Sequence, residues 1–147
     1  MDFLNRLIAD LVGGNHPIHT MFVHFPIALT GAALFFILLA LWRRSRLLEQ
    51  VAFADLALAV VSTLAAGITG YYDNLVNYNG IAPNAPVKIA LAITLFLVAG
   101  TTTLLRWRDP ALFDKMPARV YYVAAYFVSF ALAGTLGFLG GIILYGF

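Results

Sequence analysis

The chain has 147 residues, of which 62% are hydrophobic and only 11% charged, with no cysteine and a formal net charge of +2. A soluble domain carries about a quarter charged residues, so this composition points to lipid, not water, as the main solvent. It excludes disulfides, thiolate metal sites, iron–sulfur clusters and covalently attached haem, and the small net charge excludes a nucleic-acid surface.

Residues 1–15 open the chain. Phe3, Leu4, Leu7, Ile8, Leu11 and Val12 fall on one helical face, with Asp2, Arg6 and Asp10 on the other and Gly13-Gly14 as the stop. A cleavable signal peptide would want a basic start and a small-residue cleavage site. The pattern predicts a short amphipathic helix lying at the membrane interface.

Residues 16–147 form one domain with four apolar stretches, about 21–42, 51–71, 87–107 and 120–145. Each has about 20 residues or more, which at about 1.5 Å per residue crosses a hydrocarbon core of roughly 30 Å. Backbone amides cannot stay unpaired in lipid, so helix is the expected state. The predicted fold is all-α: a four-transmembrane-helix, up-down bundle.

Arg43, Arg44 and Arg46 follow the first stretch, and Arg106, Arg108, Lys115 and Arg119 join the third to the fourth. The other side holds only Arg6 and Lys88. By the positive-inside rule the arginine-rich loops are cytoplasmic, leaving both termini and the 72–86 loop outside a bacterial inner membrane. Tyr71, Tyr72 and Tyr78 then read as an interfacial aromatic belt in preference to a ligand-stacking surface, and Trp42 and Trp107 mark the inner edge.

Small residues supply a packing signal. Ala125, Ser129, Ala133, Gly137 and Gly141 recur every four residues in the fourth stretch, and Ser62, Ala66 and Gly70 do so in the second. Such stripes let helices approach closely, within the bundle by preference, or else in a homo-oligomer or against partner subunits. Asp55 is the only carboxylate inside a predicted span; the expectation is an anchor near the helix start, paired with Arg43, Arg44 or Arg46, in place of a proton relay.

All three histidines, His16, His19 and His24, fall in one run near the outer face. On a helix the three imidazoles lie within an arc of roughly 140°, and an ionisable group inside a span is costly and usually functional. Pro26 removes a helical hydrogen bond and frees the Phe22 carbonyl beside His24. Three cofactors suit such a run: haem b, a copper or zinc ion, or a quinone headgroup. Haem wants ligands from facing helices, and only the first stretch carries histidine. A bland alternative stands beside these: polar interface residues, with His24 neutral and paired to a carbonyl or hydroxyl.

The run His16-Pro17-Ile18-His19, four residues, then His24-Phe25-Pro26-Ile27-Ala28-Leu29 resembles the opening of the bacterial domain-of-unknown-function family numbered 2231, a set of small membrane proteins. The resemblance extends through Ala66-Gly67-Ile68-Thr69-Gly70-Tyr71-Tyr72-Asp73 and Gly137-Phe138-Leu139-Gly140-Gly141 to Tyr145. It departs at Lys88, where relatives often have histidine, and at Ile142, where they often have an acidic residue. The family has no settled activity, and fusions of its members to redox domains imply an electron-transfer setting.

No nucleophile–base pair, phosphate loop or carboxylate dyad is present, so an enzyme acting alone is not the expectation. The reading is a non-catalytic accessory subunit of a larger redox-linked or energy-transducing membrane complex. The alternative is a cofactor-binding module using His16, His19 and His24. Because the chain lacks cysteine, single cysteines report its topology directly. A membrane-impermeant maleimide added to intact cells is expected to label Asn79→Cys and to spare Ala111→Cys; the reverse pattern inverts the orientation.

Overall fold

The computed structural model describes residues 18–145, with side chains to residue 142. The predicted interfacial helix at 1–15 and His16 lie outside the described residues. Four long helices follow in order: α1 (Ile18–Arg43), α2 (Arg46–Tyr78), α3 (Ala85–Arg108) and α4 (Ala118–Tyr145), with a single 3-10 turn, Leu112–Asp114, before α4. All four contain stretches long and apolar enough to cross a membrane. Each packs on its neighbours in sequence and α4 returns to α1, closing an up-down ring.

The helices pair through a seam that the overall apolarity hides. Buried positions are Pro26, Thr30, Ala33, Ile37 and Ala40 on α1, and Glu49, Ala52, Leu56, Ala59, Thr63 and Ala66 on α2. On α3 they are Leu95, Ala99, Thr102 and Arg106, and on α4 Tyr122, Tyr126, Ser129 and Ala133. The steps alternate three and four, the 3.5-residue repeat of left-handed coiled coils. This seam is rich in small and polar residues, with Ile37, Leu56 and Leu95 among them, whereas Phe35, Leu58, Val61, Leu97 and Phe138 are exposed on the outside. Lipid gives no drive to bury leucine, so close approach and internal hydrogen bonding decide which face turns inward. Buried hydroxyls of Thr30, Thr63 and Thr102 each return their hydrogen to a carbonyl one turn back, at 2.7 Å in each case.

At the arginine end the seam closes on an ionic knot. Arg106 donates from Nε and a terminal nitrogen to the two oxygens of Glu49, at 2.6 and 2.8 Å, while Tyr122 donates to Glu49 at 2.9 Å. The Tyr122 and Tyr126 hydroxyls meet at 2.7 Å, and Arg106 stacks over Phe53. Glu49 and Tyr126 are fully buried. This corrects the sequence expectation on two points. Asp55 is not the only helical carboxylate: α2 runs from Arg46 to Tyr78 and so takes in Glu49 and Asp73 as well. Asp55 pairs with none of the three arginines: Arg46 instead bonds Asp114 and the Pro110 carbonyl, and Asp55 Oδ2 has no partner among the described residues.

The connections are short. Arg44 turns the chain in the left-handed region, and the Ser45 hydroxyl accepts from Leu48 N to start α2. In the loop after α3, Lys115 donates to Asp109 at 2.6 Å and holds that carboxyl below its usual range. At the far end α2 runs on to Tyr78, so Tyr72 to Tyr78, expected in a loop, are helical. Its 33 residues make a rod of about 50 Å. The carbonyl of Asn74 then accepts from both Asn79, in the left-handed region, and Gly80. Asn-Gly pairs favour turns, and here Asn79 and Gly80 both take positive φ to end the helix.

Removing one member of a buried ion pair leaves the other charge unpaired, at a cost of about 3–5 kcal/mol. Arg106→Met should therefore lower the thermal unfolding midpoint in detergent sharply, and the double variant Glu49→Leu with Arg106→Met should recover most of the loss.

Candidate functional site

Toward the opposite end the seam changes character. Beyond Thr63, Leu95 and Ala133 the inward positions become Ala66, Gly70, Ala92, Gly137, Gly140 and Gly141. A Cβ built on Gly140 or Gly141 would meet nothing within 4 Å. The helices are too poorly filled here to close on one another. A cavity of about 430 Å³ results, with walls from all four helices.

The small-residue stripes thus do two jobs. Gly70 is a close-packing position: a Cβ there would lie 2.7 Å from the His19 ring. Gly137 is another, because a Cβ would lie 2.7 Å from Ile27 Cδ1. Ala66 and Ala133 are buried in the seam. Gly141 faces open space in the cavity, and Ser62 returns its hydroxyl to the Ala59 carbonyl.

Both described histidines, His19 and His24, reach this cavity. The half-buried His19 places Nδ1 3.3 Å from Thr69 Oγ1. That hydroxyl's one hydrogen is directed at the carbonyls of Ala65 and Ala66, at 2.9 and 3.1 Å, so Thr69 accepts and His19 Nδ1 donates. The exposed His24 places Nδ1 2.5 Å from the Thr20 carbonyl, which can only accept. The carbonyl is the one at the preceding turn, not the Phe22 carbonyl that Pro26 was expected to free. Both imidazoles consequently carry hydrogen on Nδ1, and in the neutral tautomer so fixed Nε2 is the acceptor.

The remaining polar lining comes from Thr20 of α1 and from α2 and α3. Asp73 accepts from Asn77 at 2.6 Å, Asn74 accepts from Ala82 N at 2.9 Å, and Thr63 closes on its own helix. Lys88 lines the cavity and, among the described residues, forms no ion pair. Apolar walls come from Val23, Ile27, Leu95 and Leu136. Thr69, Thr63 and Asn74 were not among the sequence candidates; the three-four spacing from Glu49 through Thr63 is the signal that would have placed Thr63 inward.

The arrangement can bind more readily than it can catalyse. It offers imidazole lone pairs, a carboxylate, an ammonium and apolar walls, with no nucleophile beside a base. Among the described residues no group of three or more histidine and carboxylate side chains fits a metal ion. For haem, His19 and His24 stand on the same helix, and the facing helices contribute Lys88 and Asp73 in place of a second imidazole.

A family model, DUF2231, described as a predicted membrane protein, matches residues 15–147. No curated protein and no solved structure matches the chain.

Gly70→Ala forces the His19 ring to move, whereas Gly140→Ala adds a methyl into open space. Imidazole nitrogen-15 resonances of His19 should shift in the first variant and hold in the second; unchanged resonances in Gly70→Ala would remove the close-packing role.

Proposed function

The chain belongs to the DUF2231 family of predicted membrane proteins, and from that premise we propose that it is a ligand-binding membrane module whose cavity holds a quinone-type ring. The observation that carries this reading is the lining itself: His19 and Lys88 share one apolar-walled cavity inside a membrane domain. A quinone headgroup needs a hydrogen-bonding partner for its oxygens, a flat apolar slot, and an exit for its tail. Tyr71 and Ile89 line the cavity and are also exposed on the bundle surface, which supplies such an exit into lipid.

A bound quinone supplies reversible electron and proton chemistry. The chain's own residues bind and orient the ring: Lys88 offers hydrogens to a ring oxygen, His19 presents Nε2, and Val23, Ile27 and Leu136 exclude water. Electrons must enter or leave through another protein. The module is accordingly a non-catalytic subunit of a larger redox-linked assembly, seated in a bacterial inner membrane with its arginine end toward the cytoplasm and its cavity toward the outside. A quinone is favoured over haem b because no second imidazole faces His19 or His24 among the described residues, and over copper because no ligand cluster forms there.

Protein purified in mild detergent should bind a short-chain benzoquinone or its quinol in isothermal titration. His19→Ala with Lys88→Ala should weaken that binding by about tenfold or more, the scale of losing one or two hydrogen bonds to a charged group. Failure to bind either form, together with a Soret band lost in His24→Ala or with stoichiometric copper, would replace this reading by the haem or metal one.

A further inference from the structure

Hydrogen-bond accounting in the cavity carries the assignment one step further, resting on the quinone-ring reading. We propose that the site selects the reduced quinol over the oxidised quinone, and that Thr69 sets this preference without touching the ligand.

A quinone's carbonyl oxygens only accept hydrogen bonds, while a quinol's hydroxyls donate as well as accept. The question is then what the cavity presents. His19 presents an acceptor: its Nδ1 hydrogen is spent on Thr69, and Thr69 cannot return the favour because its own hydrogen goes to Ala65 and Ala66. The ring cannot slide to trade partners, since it rests directly on Gly70. His24 is fixed in the same tautomer, with the Thr20 carbonyl in the place of Thr69, and its neutral ring presents an acceptor as well. Thr63 has given its hydrogen to the Ala59 carbonyl at 2.7 Å and keeps only lone pairs for the cavity. Asp73 adds a carboxylate.

Donors also line the cavity, among them the hydroxyls of Thr20 and Tyr71, and the strongest of them sit near the connecting loop. Lys88 lies on the first turn of α3, and Asn74 and Tyr78 on the last turns of α2. A quinol satisfies both sets, with one hydroxyl donating to His19 Nε2 and the other accepting from Lys88. A quinone satisfies only the donors and leaves the imidazole lone pair desolvated opposite a carbonyl oxygen. Sites built to pair a ligand hydroxyl reject the analogue that lacks it, because the buried partner is left unpaired.

The test titrates the detergent-solubilised full chain with decyl-benzoquinone and, anaerobically, with the same compound chemically reduced. The quinol is expected to bind about tenfold tighter or better. Thr69→Val removes the acceptor that pins Nδ1–H, so the imidazole can place its hydrogen on Nε2. In that variant the two affinities should converge to within about threefold while quinone binding itself persists. His19→Gln, whose amide offers both a donor and an acceptor, should converge likewise, and a melting curve for each variant verifies that it is folded. Equal or tighter binding of the quinone by the unaltered chain overturns the inference and leaves the quinone-ring reading intact. So does a tenfold preference that survives in folded Thr69→Val. Binding of neither form overturns both.

Discussion

The structure depends on keeping one buried ion pair satisfied where water cannot help. Glu49 and Arg106 meet through two parallel hydrogen bonds, and Tyr122 fills a further acceptor site on Glu49. Charges desolvated in this way repay their cost only with such geometry. The knot ties α2, α3 and α4 at one level and fixes their register there. Because one end is fixed by directional bonds, the other can be left poorly filled without the bundle losing its arrangement.

From knot to cavity, the inward positions grade from charged and aromatic, through alanine and threonine, to glycine. The order is physical. Tyrosine and arginine fill space and bond across helices, alanine and threonine allow close contact with hydroxyls tucked onto the backbone, and glycine withdraws the side chain altogether. Gly70 and Gly137 still serve packing, each receiving a side chain of α1. Past them, at Gly140 and Gly141, the missing side chains are what the cavity is made of.

Much of this was legible in the sequence, for identifiable reasons. Four spans of the right length and apolarity can hardly be anything but helices in lipid. The small-residue ladders also carried their meaning on the surface. Glu49 did not, because beside Arg43, Arg44 and Arg46 a lone carboxylate looks like part of a solvated loop. Only the alternating three-four spacing toward Thr63 and Ala66 reveals that it points inward. Arg106 was hidden likewise: it counts as a topology charge until Thr102 and Ala99 are seen to share its face. The pairing of His19 with Thr69 spans 50 residues and has no local signature at all. The full length of α2 has no apolar signature, because a helix leaving the bilayer no longer needs to be apolar and its Asn and Tyr residues read equally well as loop.

The knot leaves α1 out. Among the described residues, the bond from His19 to Thr69 is the one side-chain hydrogen bond linking α1 to another helix. Elsewhere α1 rests on its neighbours through alanine, isoleucine and proline surfaces. Dispersion contacts of that kind are short-ranged but tolerant of small sliding and tilting, whereas directional ionic bonds are not. The helix that carries both described histidines is therefore held in the ring by close packing along its length against α2 and α4, with one directional bond near its N-terminal end. The width of the chamber is consequently set at the histidine end by shape and a single hydrogen bond, and at the base by charge.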